Sequence, residues 1–417
     1  EMKVLVVGGG GREHTLVWKL AQSPRISQIF CAPGNAGTAS IATNLAIADG
    51  NIPDLLKFAR ENEIGLTVVG PEVPLVEGIV DSFETQGLRI FGPNARAAIL
   101  EGSKVFTKEL LYKYAIPTAE YHRFTEASKA LEYLAHNTTY PIVIKADGLA
   151  AGKGVLISLS REEAQQGVKE MLEDKVFGNA GDEIIIEEFM TGPELSMLCF
   201  VDAHTAVPMV SAKDYKRIGE GDTGLNTGGM GAISPNPLYD EELEQFCLQN
   251  IIEPTLEGMR QEGRPFKGIL YCGIMLTEGG PKVLEYNVRF GDPETQVILP
   301  RLETDLLDIF EAVVDDRLSE IDIKWDDDAA ATVVLASRGY PEAYPKGLPI
   351  SGLDEVVSSV VFHAGTSAGE GEVITSGGRV LNVTTRAHTV PEALSLSYRN
   401  SELIQFDGKT IRKDIGS

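Results

Sequence analysis

Residues 2–7 (MKVLVV) form an apolar run too short for a core helix and closed by glycine, which predicts a buried strand. The spacing that follows predicts a helix over 12–23. Short apolar runs at 28–32, 65–70 and 88–91 then alternate with helical patterns at 53–63 and 76–86. Buried strands alternating with helices predict a parallel α/β sheet covered on both faces. This unit closes near Gly92-Pro93-Asn94, and residues 94–115 read as helix leading away from it.

The pattern then changes. Residues 118–190 give strand, helix, strand, helix, strand, with a glycine loop inside. Residues 191–325 give long strands, a glycine-rich loop at 219–231, a helix at 240–262, and strands at 267–277 and 281–288. Trp325-Asp326-Asp327-Asp328 reads as a boundary. Beyond it, 329–417 is strand-rich with Gly/Pro turns and one helix at 390–400. The expected division is therefore 1–102, 103–325 (in two parts, 118–190 and 191–325) and 326–417. The class is multidomain α/β with a Rossmann-like first domain and a small β-rich last one. No internal repeat or low-complexity tract interrupts it.

Length and composition agree. A chain of 417 residues exceeds one hydrophobic core, and 43% hydrophobic with 24% charged residues is ordinary globular usage. The net charge of −24 argues against nucleic-acid or anionic-membrane partners, which call for a basic surface. Local cations can still bind small anions. No run of 18 apolar residues predicts a membrane span, and the N-terminal strand has no signal-peptide layout. Cys31, Cys199, Cys247 and Cys272 are scattered among apolar neighbours, as buried free thiols in a reducing cytoplasm would be. The six histidines show no zinc spacing.

Candidate chemistry sits in five places. Gly8-Gly9-Gly10-Gly11-Arg12-Glu13-His14 follows a strand and opens a helix, where backbone N–H groups attract an anion. Glu13 stands where a dinucleotide fingerprint wants a small residue, and the second strand ends Phe30-Cys31-Ala32 without an acid. A phosphate or phosphosugar, or merely a tight turn, therefore fits better than NAD. Ala32-Pro33-Gly34-Asn35-Ala36-Gly37 and Val69-Gly70-Pro71-Glu72 lie past other strand ends and outline one crevice with the first loop. The strand 142–145 delivers Lys145 ahead of Ala146-Asp147-Gly148-Leu149-Ala150-Ala151-Gly152-Lys153-Gly154. This is no Walker loop, since Gly154 replaces the Ser/Thr, and it reads as a flap over phosphates between antiparallel strands. Period-2 geometry puts Glu285, Asn287 and Arg289 on one face, which suits Mg²⁺ and the phosphates it bridges; a solvated stripe is the alternative. Lys213-Asp214-Tyr215-Lys216-Arg217 precedes a loop with six glycines between Gly219 and Gly231, an anion site or a solvated charge run. No Ser/His/Asp or Cys/His arrangement offers a nucleophile.

Together these segments resemble the ATP-grasp superfamily and, within it, the glycinamide ribonucleotide synthetase (phosphoribosylamine–glycine ligase) family, over nearly the whole chain. The most specific stretch is Arg289-Phe290-Gly291-Asp292-Pro293-Glu294-Thr295-Gln296. The segments 10–14, 32–38, 145–155 and 226–232 match the family as well. The resemblance implies a pre-ATP-grasp domain, a two-part ATP-grasp domain and a small C-terminal β domain. It implies ATP bound through Lys104, Lys145, Gly152, Lys153 and Gly154, with Glu187, Glu188 and Glu194 near adenine and ribose. Glu285 and Asn287 would hold Mg²⁺ or Mn²⁺. Lys145, Arg289 and Asp214 would be catalytic. Gly10, Gly11, Asn35, Gly37, Pro71, Glu72, Lys216, Arg217 and Asp292 would bind substrate. The implied reaction joins glycine to 5-phosphoribosylamine in purine biosynthesis, by a cytoplasmic enzyme expected to be monomeric. Gly9, Tyr215 and Leu225 depart from residues common in that family.

Overall fold

The computed structural model describes residues 1–150 and 153–417. Strand Met2–Gly8 ends in five consecutive buried residues, so both its faces are covered. It is the centre of a parallel sheet ordered Thr43–Asn44, Ile26–Pro33, Met2–Gly8, Leu66–Val69, Ile90–Phe91. The chain builds outward on one side of this strand, then returns to build on the other. The crevice of such a sheet opens where those directions part, past Gly8 and Val69.

Local chemistry trims the expected helices. The first runs Gly11–Leu20 and stops ahead of Ser23-Pro24, because a residue before proline disfavours helical backbone. The pattern at 76–86 resolves into Glu72–Val76 and Ile79–Thr85, parted by Gly78 at φ 94°. Residues 94–115 hold two helices, Ala95–Gly102 and Lys104–Lys113. Asn94 caps the first through the Ala97 N–H, and Ser103 caps the second through the Phe106 N–H.

The next unit is an antiparallel sheet ordered Tyr121–Phe124, Ile184–Glu188, Ile142–Ala146, Val155–Ser158. Helices Ala127–His136 and Arg161–Val168 complete it, around a core that includes Leu134, Ile144, Val168 and Ile186. A second antiparallel sheet follows, ordered Ala206–Pro208, Glu194–Val201, Gly268–Thr277, Gly280–Asn287. The last sheet orders Lys213–Asp214, Gly231–Ser234, Ala329–Ala336, Arg379–Ala387, Val360–His363, and so crosses the expected boundary at 325–328. Helix Val390–Leu403 packs on two of its strands.

One hydrophobic core runs from Val4 and Leu16 through Tyr271, Phe290 and Phe310 to Ala330, joining the first sheet to the later units. Among the described residues no helix is long and apolar enough to cross a membrane. The four cysteines are buried and free.

Candidate active site

The crevice of the first sheet is partly filled by the chain itself. Glu13 folds back between Gly8 and Gly70, where an added Cβ would fall 2.3 and 2.7 Å from its side chain. It pairs with Arg12 (Nε–Oε2 2.7 Å), and both side chains are buried. The acid that breaks the dinucleotide pattern thus lines the switch point of the sheet.

Asp292 closes the helix start. Its Oδ2 accepts from the Arg12 N–H at 3.2 Å and its Oδ1 from Gln296 Nε2 at 2.7 Å. Burial would raise the Asp292 carboxyl, but Arg379 and Arg12 outweigh it and hold it below the usual range. The anion that an open helix N-terminus attracts is supplied by this carboxylate. Gly11 packs against the amides of Asn382 and Gln296, at 2.6 and 2.7 Å from an added Cβ, so three parts of the chain meet here.

Asn35 braces the junction. Its Nδ2 donates to the carbonyls of Gly9 (3.0 Å) and His363 (2.9 Å), and its Oδ1 accepts from the N–H groups of Gly37 and Thr38. A Cβ on Gly37 would lie 2.3 Å from the His14 ring. Pro71 caps the start of helix Glu72–Val76 beside this crevice.

Of the expected nucleotide residues, Lys104, Lys145 and Glu187 gather around the small antiparallel sheet, whereas Glu194 opens a strand of the second one. Lys145 lies on the half-exposed face of its strand because burial there alternates with period two. Its Nζ lies 3.1 Å from Glu187, whose other oxygen lies 3.3 Å from Lys108. Burial lowers the Lys108 ammonium to about 8, against the pull of Glu187. Lys104 donates to the carbonyls of Ala146 (3.0 Å) and Gly148 (3.3 Å) at the base of the flap. Asp147 binds Ser103 Oγ and the Val105 N–H, both at 2.8 Å, tying the flap to helix Lys104–Lys113. Gly154 returns the flap to the sheet through Ala146 N–H···O at 2.8 Å. Lys153, Glu188 and Glu194 are exposed; Gly152 lies outside the described residues.

Glu285 stands opposite Gly273 with its side chain open to solvent. Desolvation by the surrounding chain would raise its carboxyl, but Lys216, Lys145, Arg289 and Lys104 together hold it below the usual range. Asn287 Oδ1 accepts from Arg289 Nη2 at 3.1 Å. Arg289 also reaches Glu101 (3.2 Å) and Glu72 (3.5 Å), bridging to the first domain. Burial pushes the Glu101 carboxyl up to about 7 although Arg289 opposes it. Among the described residues no group of three or more His, Cys, Asp or Glu forms a metal cage. One open carboxylate and one amide oxygen match the small protein share Mg²⁺ takes when phosphates fill its remaining positions.

Known proteins resemble this chain along its length. The description "Phosphoribosylglycinamide synthetase" matches as an N domain over residues 2–101, an ATP-grasp (A) domain over 102–295 and a C domain over 330–417. The chain is 49% identical over 416 residues to the phosphoribosylamine–glycine ligase of Caldanaerobacter subterraneus subsp. tengcongensis, covering 100% of both chains.

The chain belongs to the phosphoribosylglycinamide synthetase family.

It is 52% identical over 421 residues to the Salmonella typhimurium phosphoribosylamine–glycine ligase, covering 100% of this chain and 98% of that one. The crystal structure of phosphoribosylamine–glycine ligase from Thermotoga maritima superposes with TM-score 0.85 at 36% identity, covering 99% of each.

In this synthetase-family chain the expected residues do not all converge. Lys216 joins the Glu285 group and lies 3.9 Å from Asp214, whose buried Oδ2 has no hydrogen-bond partner. Arg217 instead donates to the Gly224 carbonyl within its own hairpin (2.8 Å). Residue-level reading passed over Lys108, Glu101 and Arg379. Lys108 was legible, standing one helical turn after Lys104 on the same face. Glu294 lies in the family stretch, is buried, and is pushed up by burial and by Asp214. Glu101 and Arg379 carry no local signal.

Proposed function

We propose that this chain joins glycine to 5-phosphoribosylamine, converting ATP to ADP and phosphate and giving glycinamide ribonucleotide by way of glycyl phosphate, a step of purine biosynthesis. The observation that carries the reading is an exposed carboxylate, Glu285, lying within the electrostatic reach of Lys216, Lys145, Arg289 and Lys104. That many cations facing one acceptor suit a polyphosphate and a metal rather than a neutral ligand. ATP lies between the two ATP-grasp parts, its phosphates near Lys104, Lys145, Lys153 and Gly154, its nucleoside near Glu187, Glu188 and Glu194. Glu285 and Asn287 would hold Mg²⁺ or Mn²⁺, which would neutralise charge on the transferring phosphoryl group.

Glycine's carboxylate attacks the γ-phosphorus, ADP leaves, and the amine of 5-phosphoribosylamine attacks the acyl carbon, expelling phosphate. The chain's part is positioning and electrostatics: Lys145 and Arg289 face the phosphoryl group, and Asp214 and Lys216 stand beside the acceptor. The sugar amine enters from the first-domain crevice, bounded by Gly10, Gly11, Pro71, Glu72 and Asp292. The enzyme acts as a cytoplasmic monomer on small molecules. Buried free thiols support a reducing compartment.

With ¹⁸O in glycine's carboxylate, one labelled oxygen is expected in inorganic phosphate, with ADP as the nucleotide product. Label in AMP, or unlabelled phosphate beside ADP, overturns the acyl phosphate.

A further inference from the structure

A phosphomonoester in the first-domain crevice needs donors that are not already occupied. At the helix start two donors are engaged. The Arg12 N–H is held by Asp292, and the Gly10 N–H faces Glu13 Oε1 at 3.4 Å. The Arg12 guanidinium is engaged by Glu13 and by the Phe290 carbonyl. Arg289 is engaged by Glu101, Glu72 and Asn287, and its one donor without a hydrogen bond, Nε, is buried.

Arg379 differs. It begins the strand Arg379–Ala387 of the last sheet and reaches the three-part junction. Its Nη1 donates to the Asp292 carbonyl at 2.9 Å and lies 3.5 Å from Asp292 Oδ1 and from the Gly229 carbonyl. Its Nε and Nη2 have no protein partner among the described residues, and 21% of the side chain is accessible. The guanidinium lies close against Gly228, where a Cβ would fall 2.7 Å from Cζ. One edge of the fork is thus fixed and the other is free, which is preorganisation for an oxyanion. Asp292 also stands 3.5 Å from the Cβ position of Gly10, so the glycine loop and Arg379 flank one carboxylate.

We propose that Arg379, carried by the C-terminal domain, is the cation that receives the phosphate monoester of the sugar substrate at this junction. The proposal rests on the ligase reading above and adds the residue that recognises the phosphate. It also gives the C-terminal domain a direct part in substrate binding.

The test compares the parent chain with Arg379→Ala and Arg379→Gln, using ribose 5-phosphate and ribose as competitors of 5-phosphoribosylamine. Both variants are expected to raise the KM for 5-phosphoribosylamine at least ~10-fold, the scale of one charge-assisted contact. The preference for ribose 5-phosphate over ribose is expected to collapse toward unity, with ATP affinity unchanged. Added guanidinium ion should restore part of the KM in Arg379→Ala. If Arg379→Ala does not fold, Arg379→Gln, which can still donate to the Asp292 carbonyl, is read in the same way. An unchanged KM overturns the proposal. So does an equal loss for ribose and ribose 5-phosphate, which marks Arg379 as a brace for Asp292 alone. A parent chain that ligates glycine beside neutral Arg379 variants removes only this proposal, whereas a parent chain inactive with all three substrates removes the ligase reading itself.

Discussion

Glu285 is an exposed carboxylate on strand Gly280–Asn287, in the field of Lys216, Lys145, Arg289 and Lys104. Their summed field keeps it ionised against desolvation by the surrounding chain, so it is ready to accept a cation at neutral pH. It makes no hydrogen bond within the chain among the described residues. Replacing it by Gln should therefore leave the fold intact. Glu285→Gln is expected to lose at least ~100-fold in kcat at saturating Mg²⁺, the scale of one preorganised transition-state contact. Steady-state ADP release with the other substrates saturating measures this. Turnover near that of the parent would remove Glu285 from the site.

Helix Gly11–Leu20 and strand Val360–His363 come from opposite ends of the chain and lock through two histidines. His14 Nδ1 accepts from the His363 N–H at 2.7 Å, and His363 Nδ1 faces Thr366 Oγ1 at 2.9 Å. The His14 ring meets Phe362 edge-on at 5.5 Å. Burial lowers His14 to about 3 and His363 to about 4. In the unfolded chain both take up protons below about 6.5. The unfolded state binds more protons between those values, so this contribution is complete above about 6.5 and is lost as pH falls toward 4. Each histidine should remove up to about 1.4 kcal/mol per pH unit in that window. The Tm of the parent should fall more steeply between pH 6.5 and 4.5 than that of His14→Gln. Parallel Tm–pH curves would refute the latch.

At the scale of the whole molecule, the first domain and the later sheets share cores, while residues 121–188 keep their own around Leu134, Ile144 and Ile186. A unit with a private core can open or tilt without disturbing the rest. Lys104 and Asp147 tie the base of its flap to helix Lys104–Lys113, beside the proposed phosphate site. Native-state hydrogen exchange is expected to show strands Ile142–Ala146 and Ile184–Glu188 opening at lower free energy than Met2–Gly8, and slowing when ATP is added. Equal protection of the two sets, unchanged by ATP, would contradict an independent lid.

The sequence by itself determined what local spacing can encode. Apolar runs bounded by glycine gave the first sheet, the apolar strand 142–145 gave the delivery of Lys145, and 289–296 gave the family. The proposed phosphate and metal chemistry rests on Lys145, Glu285 and Asn287, which sit on regular strands whose periodicity fixes the side on which each emerges. Tertiary structure alone decided which charges are already engaged. Asp292 reaches the helix start from 280 residues away, and Asn35 reaches the His363 carbonyl across 328. Whether a donor is free or satisfied depends on atoms brought near by packing, and no spacing along the chain records that. For the same reason Gly231–Ser234 joins the last sheet across the apparent boundary at 325–328. Arg379 had no local mark either, because its meaning lies wholly in the Asp292 and Gly229 groups that the fold sets against it.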